Sequence, residues 1–261
     1  MHDQVRHSHK ISVPWLTVLF VGLWIWAIWT CAEHWRGNPN YSYGWAVPLL
    51  ALAFGLRRYW QSGREISERW ALAAVHAVSL VITSVAAAAI VFGLEFARQQ
   101  MWHPQIVLGL ICLLPIAFSL AVSFFIGGRA LLRAEAFPVL FFLTAVPWPP
   151  RIEQPITSTL MSWVAVTTAE VLHWMGVEAQ TSGGAIALRT GLVGITEACS
   201  GIRSLQAGIM FGLAMGEWFL LRPARRLALL AVAIALALLT NLARTLALSL
   251  QAEWHGVAAV E

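Results

Sequence analysis

Glu197-Ala198-Cys199-Ser200-Gly201-Ile202-Arg203-Ser204 opens an apolar run that reaches residue 221, and beyond the basic connection Arg222 to Arg226 a second run extends from 227 to 250. Two runs of this length joined by a short basic turn predict an antiparallel pair of membrane-spanning helices. The opening octet puts a thiol at the mouth of the first helix. The positive end of a helix dipole favours thiolate there, and thiolate is the nucleophilic form. Asn241-Leu242-Ala243-Arg244 sets an amide and a guanidinium inside the second run. An arginine within a span carries a large insertion penalty and marks a functional group or half of a buried pair.

The rest of the chain repeats the apolar pattern. Of 261 residues, 59% are hydrophobic and only 11% charged, with a mean hydropathy of +0.69, which is the composition of a polytopic membrane protein. Further apolar runs lie at 11–31, 44–56, 71–92, 106–126 and 136–149. The expected fold is therefore an all-α polytopic membrane protein with about seven transmembrane helices, forming one integral membrane domain over residues 1–261. The runs at 44–56 and 136–149 are short, contain Pro48 and Pro138, and need flanking residues to cross. The run at 11–31 ends without a small-residue cleavage site and reads as a retained first span.

Basic residues orient the chain. If every run crosses, Arg6, Lys10, Arg57, Arg58, Arg64, Arg69, Arg129, Arg133, Arg222, Arg225 and Arg226 share one side, and only Arg36, Arg98, Arg151 and Arg189 fall on the other outside the two motifs. The positive-inside rule makes the richer side cytoplasmic, so the N-terminus is expected inside and the Cys199 end of the helix pair on the extracytoplasmic face. Basic residues spread over short connections fit a lipid bilayer as partner and exclude nucleic-acid binding. Cys31, Cys112 and Cys199 show no paired spacing, so neither a disulfide framework nor a metal site is expected, and no cofactor motif is present.

The one long segment outside the apolar runs lies between Pro149 and Ala198. Ile152 to Met175 has helical periodicity with a broad apolar face, suited to lying along the outer interface and ended by Gly176. Gly183-Gly184, the apolar runs 185–188 and 192–196, and Thr190-Gly191 between them predict a small extracytoplasmic hairpin leading into Cys199.

Counting along the paired helices from residue 224 places Cys199 roughly 37 Å up one arm and Arg244 roughly 30 Å up the other. Across an interhelical distance of about 8–10 Å, a long arginine side chain reaches a group bonded to the Cys199 sulfur. Asn241 is expected one turn deeper on the same face as Arg244. The bland readings are an inert buried thiol for Cys199 and an ion pair for Arg244 with Glu170, Glu197 or Glu217. Arg203, four residues after Cys199, either lowers its pKa or snorkels to lipid headgroups. His255 meets Cys199 only if the chain folds back near Gly256.

The octet at 197–204, together with Asn241-Leu242-Ala243-Arg244, Asn40-Tyr41-Ser42-Tyr43-Gly44 with Pro48, and Phe137-Pro138 through Pro147 and Pro149, resembles the motifs of the exosortase and archaeosortase transpeptidases. The resemblance covers most of the chain. It implies a membrane-embedded cysteine protease/transpeptidase in the cell inner membrane, acting on exported substrate proteins that carry a C-terminal sorting signal of the PEP-CTERM kind. Cys199 would form an acyl-thioester with the substrate, Arg244 would protonate or stabilise the oxyanion, and the acyl end would pass to an acceptor the sequence does not identify. Such proteins carry a third catalytic residue, usually His, well beyond the N-x-x-R arginine and before a further span. His255 falls too early for it and the chain stops at Glu261, so the expectation is a chain lacking its last span. The alternative from a different class is a non-enzymatic transporter or assembly scaffold with a polar cavity at Asn241 and Arg244. Nothing in the sequence assigns an oligomeric state.

Overall fold

The computed structural model describes residues 14–62, 73–99, 104–182, 184–194 and 200–257. In chain order its elements are α1 (Pro14–Gly37), a 3₁₀ segment (Pro39–Trp45), α2 (Ala46–Ser62), α3 (Ala73–Gln99), α4 (Pro104–Phe141), a second 3₁₀ segment (Phe142–Ala145), α5 (Pro150–Trp174), the strands β1 (Ala179–Ser182), β2 (Ala185–Leu188) and β3 (Gly191–Gly194), then α6 (Ile202–Trp218) and α7 (Pro223–His255). The chain is a polytopic helical membrane protein carrying one small sheet.

Among the described residues three helices are long and apolar enough to cross a bilayer: Thr17–Gly37, Ile106–Phe125 and Pro223–His255. A fourth crossing arises if Gly127–Ala145 and Pro150–Trp174, bent by 69° at their junction, act as one broken span. The runs expected at 44–56, 71–92 and 201–221 lie in α2, α3 and α6, and the exact number of crossings stays an expectation of the sequence. Helices α2 and α6 have 17 residues each, the lower end of the roughly 17–25 that a spanning helix needs. The run at 136–149 forms no helix of its own. Its first part completes α4, the second 3₁₀ segment follows, and Pro149 precedes the first turn of α5. Within α4 the backbone breaks at Gly128, where φ is 61° and ψ −153°, a conformation that a side chain makes costly.

The expected amphipathic helix is α5, and Gly176 with φ 80° closes it as predicted. The expected hairpin is present as β2 and β3, and the structure adds β1, giving an antiparallel sheet in the order β1-β2-β3. Ile186 and Leu188 of β2 bury against Val164 and Leu172 of α5 and Ala252 of α7, so the sheet is clamped between those two helices. A second core joins Cys31 and Trp35 of α1, Val47 and Phe54 of α2, Cys112 and Ile116 of α4, and Phe142 and Ala145.

Helices α6 and α7 form the antiparallel pair the sequence predicts. Close approach is possible because Gly208, Gly212 and Gly216 share one stripe of α6 at four-residue intervals. A Cβ on Gly208 would lie 3.2 Å from the Ala233 carbonyl oxygen, and one on Gly212 would lie 3.1 Å from Leu230 Cα. At the far end of the pair, buried Glu217 receives Arg58 of α2 at 2.5 Å and Arg226 of α7 at 2.8 Å.

Candidate active site

Glu197 and Cys199 lie outside the described residues; the chain is described again from Ser200 onward. Ser200 is fully buried, and its Oγ accepts the Ile202 N–H at 3.2 Å, satisfying one of the amides that a helix start leaves unpaired. Gly201 follows with φ 88° and ψ 1°, and its carbonyl accepts the Leu205 N–H at 2.8 Å to begin α6. Only glycine takes this left-handed conformation without strain.

The same glycine presses on α7. A Cβ built on Gly201 would lie 3.0 Å from Asn241 Nδ2 and 3.3 Å from Asn241 Cγ. The backbone two residues beyond Cys199 is therefore packed on the amide that opens the Asn241-Leu242-Ala243-Arg244 motif. Asn241 is 4% exposed. Its main-chain oxygen accepts the Thr245 hydroxyl at 3.1 Å.

Three residues along a helix turn about 300°, and that offset from Asn241 is enough to leave Arg244 exposed while Asn241 is buried. Among the described residues no carboxylate is in ion-pair contact with it. Glu217, one candidate partner, is engaged by Arg58 and Arg226 at the opposite end of the helix pair, and Glu197 falls outside the described residues.

The early motif meets the mouth of α6 from the other side. Arg203 donates from Nη2 to Ser42 Oγ at 3.1 Å. The Tyr41 hydroxyl accepts both the Trp148 N–H at 2.9 Å and Gln206 Nε2 at 3.2 Å. The Tyr43 hydroxyl donates to the Thr144 carbonyl at 2.9 Å, and the Trp35 indole donates to the Ala145 carbonyl at 2.8 Å. Residues 41–43, 144–148 and 203–206 thus form one hydrogen-bonded shoulder around the start of α6. Burial pushes the Tyr41 phenol up to about 12, against the lowering effect of the Trp148 and Gln206 donors. Burial also raises the Tyr43 phenol, with Tyr41 and Glu153 adding to the shift. Both hydroxyls therefore remain protonated across the physiological range. Gln206 escaped the sequence reading, although a lone amide one turn into an apolar run was its visible signal.

The lead-in to the site is held at the end of α7. Thr190 Oγ1 donates to the Ala252 carbonyl at 2.9 Å, Arg189 approaches Glu253 at 3.3 Å, and the Val257 side chain lies over Gly191. Gly256, with φ 87°, lets the chain leave α7 and turn back toward β3. His255 ends α7 as an exposed side chain. Among the described residues no group of His, Cys, Asp or Glu is arranged to hold a metal ion.

Three segments that are distant in sequence, around Tyr41, Gly201 and Asn241, therefore converge at one end of the α6–α7 pair. Searches of curated proteins and of solved structures returned no match. The family model described as transmembrane exosortase matches residues 34–261, a stretch that includes all three segments, and the chain belongs to that family.

Proposed function

We propose that this protein is a membrane-embedded cysteine transpeptidase that cleaves exported proteins near a C-terminal sorting signal and transfers the new acyl end to an acceptor. The observation that carries the reading is the contact of Gly201 with Asn241, which ties the backbone beside Cys199 to the motif that ends in Arg244. In this reading the Cys199 thiolate attacks the scissile carbonyl at the mouth of α6. The first-turn N–H groups and the Arg244 guanidinium stabilise the oxyanion, and collapse of the tetrahedral intermediate leaves an acyl-thioester. The acceptor's nucleophile then releases the product and regenerates the thiol. Arg244 is exposed at the helix surface and has no described carboxylate partner, which leaves its charge available to a substrate. The site faces the extracytoplasmic side, with the N-terminus in the cytoplasm, and residues 1–261 act as one integral membrane domain.

The test is processing of a co-expressed substrate with such a signal. Cys199→Ala and Arg244→Ala should both abolish it while each variant still inserts in the membrane. The scaffold alternative requires that Cys199→Ala be tolerated. Trapping the product's new C-terminus distinguishes transfer from hydrolysis.

A further inference from the structure

We infer that Cys31 and Cys112 form a disulfide that staples α1 to α4. The two are 81 positions apart in sequence, yet their Sγ atoms lie 3.1 Å from each other in the structure. Both side chains are fully buried in the core that holds Trp35, Phe142 and Ala145. A disulfide needs the sulfurs only about 1 Å closer. The contact is specific to the fold, since nothing in the spacing of the three cysteines pairs these two.

Position supports oxidation. Cys31 is one helical turn before Trp35, which anchors the shoulder of the candidate site through the Ala145 carbonyl. Cys112 is eight residues into α4, about 12 Å from its start. In the orientation given by the basic residues, both sulfurs lie near the extracytoplasmic end, where disulfides persist. The oxidant is a second disulfide. One thiol, as thiolate, displaces one sulfur of the oxidant to give a mixed disulfide; the second then displaces the first oxidant sulfur still attached. One S–S bond forms, one is broken, and the two thiol protons end on the two released oxidant thiols. The crosslink fixes α1 against α4 in the core that also holds Trp35 and Tyr41, and it is independent of the chemistry proposed for Cys199.

The test inserts a site-specific protease sequence between Ser62 and Ala73, in the connection that separates Cys31 from Cys112. Membranes holding the full chain are treated with dithiodipyridine, blocked with N-ethylmaleimide in detergent, cleaved and run on a gel without reductant. The fragments should remain covalently joined in the parent and in Cys199→Ala, and separate in Cys31→Ser, in Cys112→Ser and after reduction. Separation of the parent fragments without reductant overturns the inference, as does separation in Cys199→Ala, which would assign the crosslink to the third thiol.

Discussion

Replacing Gly201 by alanine tests how the two motifs are held together. The methyl group must occupy a left-handed backbone with φ 88°, a cost of about 1–2 kcal/mol for an L side chain. It would also meet Asn241 Nδ2 at 3.0 Å and Cγ at 3.3 Å, so the amide must give by a few tenths of an ångström or α6 must shift. Crowding of this kind adds about 1 kcal/mol or more in a packed site. The expected destabilisation is therefore about 2–3 kcal/mol, read as a fall of roughly 4–12 °C in melting temperature for a protein of this size. Substrate processing should fall further than stability does, since a misplacement approaching 1 Å costs a reacting pair about a hundredfold. The assay is thermal melting of the purified protein in detergent, with Gly201→Ala, Asn241→Ala and the double variant compared in a cycle. Asn241→Ala removes the crowding but leaves the backbone strain, so the double variant should be less destabilised than the sum of the two singles. A Gly201→Ala protein that melts with the parent, or strict additivity in the cycle, refutes the proposed contact.

Other predictions concern the surroundings of the site. Glu217 is held by Arg58 and Arg226 in a buried position, so removing both arginines should cost about 3–5 kcal/mol by leaving its charge unpaired. Glu217→Leu should cost less, as measured by melting or protease resistance. Gly212→Leu places bulk where Leu230 Cα would lie 3.1 Å from the new Cβ, and should force α6 from α7 at about 1–3 kcal/mol or more, visible as lost disulfide trapping between cysteines engineered across the pair. The Tyr41 phenol, held at about 12 against 10.0 unfolded, contributes stability that is whole below pH 10 and is lost as pH rises through 12. Alkaline melting series of parent and Tyr41→Phe should therefore differ in slope above pH 10. Ser249 is fully buried and its Oγ lacks a partner among the described residues, so Ser249→Ala should be neutral or stabilising by thermal melt.

The helix pair α6–α7 was legible because its two apolar runs and basic turn follow directly from the demands of a bilayer. The closing glycine of α5 and the hairpin β2–β3 were equally visible, since glycine punctuation fixes both. The break at Gly128 was not. Arg129 and Arg133 suggested a connection there, but helix propensity on either side carries the chain through with one interruption, and a run that ends in Pro147 and Pro149 cannot continue as a separate span. In the candidate site, the motifs could be named from sequence, but their arrangement depends on tertiary packing. Counting residues puts Arg244 and Asn241 on one face, but it does not tell that Asn241 is buried against Gly201 while Arg244 is exposed. The hydrogen bonds that the Tyr41 hydroxyl accepts from Trp148 and Gln206 span more than 100 residues each, a separation that no local pattern encodes. The meeting of Cys31 with Cys112 escaped for the same reason.

The central claim is covalent chemistry at Cys199, and the most direct measurement is peptide mass spectrometry of the enzyme recovered during turnover of a sorting-signal substrate. The account predicts a hydroxylamine-sensitive adduct on the Cys199 peptide carrying the substrate's new C-terminal residues, absent from Cys199→Ala. Continued substrate processing by Cys199→Ala, or an acyl adduct on another residue, would contradict it.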